Sequence, residues 1–93
     1  MARITVDERP DGAFTVSLDD EGVTTTHCVR VPTGFLDELG CGDVPAGELV
    51  RCSFVFLLER EPARAILREF SLEQIGGYFP EYGAEIRKAL RSP

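Results

Sequence analysis

Glu48 to Pro62 reads ELVRCSFVFLLEREP, and the reading of this stretch decides the fold. Five of the six residues from Ser53 to Leu58 are large and apolar. Charge returns at Glu59, Arg60 and Glu61, and Pro62 closes the run. A short apolar run fits a buried strand or a buried helix equally well. Length favours helix, because about 15 residues far exceed the usual strand of about 5 to 6. Pro45 at the start agrees, since proline is tolerated in a first helical turn. Spacing agrees too: Leu49, Cys52 and Phe56 form one stripe, and Val50, Phe54, Leu57 and Leu58 a second. Two stripes predict a central helix over about 45–60, buried on more than one side.

Upstream, the period changes from helical to two. Ile4 and Val6 alternate with polar residues, as do Phe14, Val16 and Leu18, and then Val23, Thr25, His27, Val29 and Val31. This is the pattern of half-buried strands. Arg9-Pro10-Asp11-Gly12 and Asp19-Asp20-Glu21-Gly22 supply the turns. The threonines at 24, 25 and 26 favour strand, because β-branched side chains fit a pleated surface. A three-stranded antiparallel meander over about 3–31 follows. If the second turn is a four-residue loop, Leu18 faces Val23, Val16 faces Thr25 and Phe14 faces His27.

Pro32 ends the third strand, and Thr33 is placed to cap a short turn that stops at Gly40. After Pro62, ARAILREF reads as a further helical turn or a connector. Ser71 and Gln74 have capping-box spacing. Pro80 opens a last helix with Tyr82, Ile86 and Leu90 on one face. C-terminal helices are therefore expected at about 71–78 and 80–91. The fold class is α+β, with the meander packed on the central helix, and residues 1–93 form one domain.

Composition narrows the function. Lys and Arg total 10 against 16 Asp and Glu, a net charge of −6, which phosphate backbones repel. A basic strip from Arg60, Arg64, Arg68, Arg87, Lys88 and Arg91 is interleaved with glutamates. Nucleic-acid binding is thus disfavoured. Three cysteines without a close pair argue against a disulfide framework and for a reducing compartment. No secretory apolar segment opens the sequence, and no apolar run reaches the length of a membrane span. A cytoplasmic protein with no membrane association is expected.

Chemistry is sparse. His27 is the only histidine, and Cys28 beside it points to the opposite strand face, so the two make a poor dyad. Cys28, Cys41, Cys52 and His27 lack the close pairs of a zinc site, and no metal or cofactor is expected. Cys41, between two glycines, is the candidate reactive thiol. Gly40-Cys41-Gly42-Asp43 lacks the lysine and glycine spacing of a phosphate loop. No catalytic residues are assigned. Tyr78, Phe79 and Tyr82 around Pro80 form an aromatic cluster of the kind enriched at interfaces, and equally of the kind that closes a small core.

THCVRVP (26–32), LVRCSFVFLLEREP (49–62), ILREF (66–70) and IGGYFPEY (75–82) together resemble a group of small uncharacterised bacterial proteins. LLEREP and YFPEY are the distinctive blocks. That group has no assigned activity, so the resemblance implies no site residues. A looser likeness, resting on fold class alone, is to antitoxin-type domains with a long helix on a three-stranded sheet; their proline–glycine hairpin is missing here. The leading expectation is a non-enzymatic protein-binding or regulatory module, with Tyr78, Phe79 and Tyr82 as partner-binding residues and a homodimer as one form of partner. Two alternatives stay open. One is a thiol-dependent enzyme or redox sensor using Cys41 or Cys28. The other is a weakly nucleic-acid-associated regulator of antitoxin type.

Overall fold

Arg3–Glu8 (β1), Phe14–Asp20 (β2) and Val23–Arg30 (β3) form successive antiparallel strands of one sheet. The computed structural model describes residues 2–91. A helical turn at Phe35–Glu38 (α1) leads to the central helix Ala46–Leu58 (α2). A 3-10 turn at Ala63–Ala65, a short strand Glu69–Ser71 (β4) and a second 3-10 turn at Leu72–Gln74 follow. Two helices, Ile75–Tyr78 (α3) and Tyr82–Arg91 (α4), complete the α+β fold.

The sheet corrects the three-stranded expectation. It has four strands in the order β1-β2-β3-β4 and is mixed, because β4 runs parallel to β3. Cys28 lies opposite Glu69, Val29 opposite Phe70 and Arg30 opposite Ser71. The physical reason is a crossover: α1 and α2 carry the chain over one sheet face and return it to the β3 edge, as a parallel pairing requires. Three residues are too few for period-two alternation to show. What holds them is tertiary: the Cys28 N–H donates to the Arg68 carbonyl at 2.7 Å, and Phe70 is buried.

The β2–β3 register is a second correction. The loop has two residues, Glu21 and Gly22, not four, so Asp20 pairs with Val23 and Val16 with His27. Both loop residues have positive φ, 53° and 85°, the geometry of a type I′ turn whose twist suits a hairpin. The shift of two residues leaves every side chain on its expected face. Val16, Leu18, Thr25, His27 and Val29 remain buried, while Thr24, Thr26 and Arg30 are exposed.

One core joins sheet and helices. Leu49, Val50, Ser53, Phe54, Phe56 and Leu57 of α2 are buried, as two apolar stripes require. Tyr82 and Ile86 of α4 close the far side of α2. Pro45 stands at the N-cap of α2 with φ −60°, and Gly34, not Thr33, occupies that position in α1. The blocks LLEREP and YFPEY meet in space. The Arg60 Nε donates to Glu81 Oε2 at 3.1 Å, its guanidinium lies 3.6 Å over the Phe56 ring, and Phe56 packs edge-on to Phe79 and Tyr82.

Candidate functional site

The chain between α2 and α4 does not pack flat. It wraps a groove. Pro62 turns the backbone out of α2, Ile66 is extended, and β4 brings Phe70 back to the sheet. Adjacent residues of an extended segment point to opposite sides. Ile66 is therefore buried at 3% exposure while Leu67 stands out at 49%. Gln74 then reaches back to accept the Ser71 N–H at 2.8 Å, the contact a capping box requires, and α3 follows with Ile75 buried and Tyr78 exposed.

The resulting cavity is about 210 Å³, with Leu57, Ile66, Phe70 and Ile75 among its walls. Leu67 and Tyr78, 68% exposed, stand at its rim with half-buried Phe79. Glu61 and Gln74 are the polar side chains lining it. An apolar hollow with a few polar groups at its edge is the common form of a binding site.

A buried polar contact fixes the rim. The Leu67 carbonyl lies 2.7 Å from His27 Nδ1, and a carbonyl only accepts, so Nδ1 carries the proton. Nε2 then accepts from the Thr25 hydroxyl at 2.9 Å. His27 also lies 5.5 Å from the Phe54 ring, which is 5.9 Å from Phe70. Burial holds the His27 pKa below its ordinary value of 6.5, opposed by the Leu67 hydrogen bond and reinforced by Arg68. His27 is thus a neutral tether between β3 and the groove.

The three aromatic candidates separate. Tyr78 and Phe79 line the groove. Tyr82 is 2% exposed on the other side of α2, stacked 6.5 Å from Phe35. Ser53 Oγ donates to the Leu49 carbonyl at 2.7 Å and so accepts from the Tyr82 hydroxyl, also at 2.7 Å. Burial pushes the Tyr82 pKa up to about 12.

The thiols stand apart. Cys41 is 1% exposed, and its Sγ donates to the Leu39 carbonyl at 3.6 Å. Cys28 is half-buried, on the sheet face away from His27, with Arg9 Nη1 3.3 Å from its sulfur. Burial, together with the Glu48 carboxylate, raises the Cys52 pKa. Among the described residues no group of histidine, cysteine and acidic side chains is arranged to hold a metal ion. None of the described helices is long and apolar enough to cross a membrane. The basic strip is partly committed: Arg60 to Glu81, Arg87 to the Leu39 carbonyl at 2.9 Å, and Arg91 to the Gly40 carbonyl at 3.4 Å.

Compared with protein-family models, with curated proteins and with solved structures, the chain finds no match, and no residue role is carried over from another protein. Of the side chains that line the groove, the sequence singled out Tyr78 and Phe79 and not Leu67, Ile66, Phe70 or Ile75. One signal was present: the neighbours Ile66 and Leu67 cannot both enter one core if the segment is extended.

Proposed function

We propose that the chain is a non-enzymatic protein-binding module that takes an apolar side chain of a partner polypeptide into the groove between Leu67 and Tyr78. The observation that carries this reading is the pair of exposed large apolar residues at the mouth of an apolar cavity. Scattered exposed apolar residues are ordinary, but a patch around a hollow favours recognition. The cavity of about 210 Å³ has room for one or two side chains of a peptide and is below the usual drug-sized site of about 300 Å³. Glu61 at the edge favours a basic or amide-bearing neighbour to the apolar anchor.

The test is selection from a random peptide display library on the wild-type protein, repeated on Tyr78→Asp. Peptides sharing an apolar anchor, with binding lost in Tyr78→Asp and reduced in Leu67→Ala, support the reading. Peptides that bind Tyr78→Asp unchanged, or a library yielding no binder, would overturn it.

A further inference from the structure

The sheet has an edge at β1, on the opposite side from β4. The hydrogen-bond phase of that edge follows from the first hairpin. The Arg9 N–H donates to the Ala13 carbonyl at 2.8 Å, so residue 9 and, by alternation, residues 7, 5 and 3 turn their main-chain groups toward β2. Ile4, Val6 and Glu8 turn theirs outward, to the free edge. Unpaired strand edges are templates for another strand, and proteins blunt those that are not used. β1 has no proline within it and no bulge in its register with β2.

The sequence of β1 is complementary to itself. In an antiparallel pairing of two copies centred on Thr5, Ile4 lies opposite the partner's Val6, and Arg3 opposite the partner's Asp7. The parity is correct for both faces. Ile4 and Val6 are half-buried on the face that α2 covers, whereas Arg3, Thr5 and Asp7 are exposed on the other face. The outward-facing groups of Ile4 and Val6 are those that exchange hydrogen bonds in this register. The two-fold axis repeats each contact, giving two Arg–Asp pairs and two Ile–Val pairs. Beside the edge lies a second recess, about 420 Å³, lined by Ala2, Ile4, Asp20, Val55, Leu58 and Glu59, with Val55 42% exposed. In this register the partner's Val6 is placed opposite Ile4, one of the residues that line that recess.

We infer that two copies of this chain associate through β1, joining their sheets into one continuous sheet of eight strands with the groove-bearing β4 edges at its far ends. This surface is separate from the groove, so the two readings stand or fall independently.

Sedimentation equilibrium of the wild-type chain, Arg3→Asp, Asp7→Arg and the double variant tests it. A mass of twice the 10.3 kDa chain is expected at about 100 µM. Each single substitution sets like charges opposite each other twice, and should raise the dimer dissociation constant about tenfold. The double variant restores opposite charges and should return the constant to within about threefold of wild type. Rescue can arise only between chains, because Arg3 and Asp7 of one strand are about 13 Å apart. Circular dichroism checks that the variants fold. A wild-type monomer at about 100 µM, a dimer indifferent to both single substitutions, or no recovery in the folded double variant would each overturn the proposal.

Discussion

The two flanks of α2 are built from similar residues and finished differently. On the α4 flank, Phe56, Tyr82 and Ile86 interlock, and the one hydroxyl brought inside finds Ser53. On the β4 flank, Ile66, Phe70 and Ile75 form a comparable wall, but Leu67 and Tyr78 stay in water. Tyr78 and Tyr82 are one helical turn apart in sequence, yet they are 68% and 2% exposed. The difference teaches that apolar content does not decide closure. Backbone path does: the ten-residue α4 packs against α2, whereas the segment 62–79 is broken into two 3-10 turns, a three-residue strand and a four-residue helix and leaves a hollow.

The largest test of that contrast is truncation of the closed side. Tyr82→Ala removes a buried ring and the hydrogen bond its hydroxyl donates to Ser53, and should cost about 3–5 kcal/mol in urea denaturation. For a small domain that approaches the whole stability, so a folded but marginally stable variant is expected. The same truncation at Tyr78 should change stability by under about 0.5 kcal/mol while removing peptide binding. Equal losses at the two positions would erase the contrast.

Titration should separate the flanks at opposite ends of the pH scale. Tyr82 has a folded pKa of about 12, above its ordinary value of 10.0, so the unfolded chain gives up this proton first. Stability from this group is full below pH 10 and falls as pH rises toward 12, by up to about 1.4 kcal/mol per unit. His27 has a lowered folded pKa, so the unfolded chain binds its proton first. Its contribution is full above pH 6.5 and falls as pH drops below that value. Tyr82→Phe should flatten the alkaline limb and His27→Gln the acid one, both read by denaturation against pH.

Tyr82→Phe at neutral pH gives a smaller effect. It removes one buried hydrogen bond and leaves Ser53 donating to Leu49, so a loss of about 1 kcal/mol is expected. A loss as large as that of Tyr82→Ala would show that the hydroxyl, not the ring, holds α4.

The closed flank was largely legible in the sequence. The stripes of α2 and the spacing of Tyr82, Ile86 and Leu90 imply two helices meeting, because helical period carries across long elements. The hairpin faces were legible for the same reason, although Glu21 at positive φ hid the two-residue turn. The open flank was not. β4 has three residues, and its pairing with β3 spans about forty residues of chain, which no local pattern encodes. Ser53 stands at the head of the apolar run with no role legible in the sequence; only its spacing of four from Leu49 hinted at the helical back-bond. The fate of Tyr78 depended on the direction of α3, which the Gly76-Gly77 pair leaves undetermined by propensity.

The most direct test of the groove reading is an amide chemical-shift titration of the wild-type chain with a library-selected peptide. The account predicts shifts confined to the segment from Leu57 to Phe79, largest at Leu67 and Tyr78, with a smaller change carried to His27 through the Leu67 carbonyl. Shifts centred on β1, on the Cys28–Arg9 contact or on the arginines of α4, with Leu67 and Tyr78 unmoved, would contradict it.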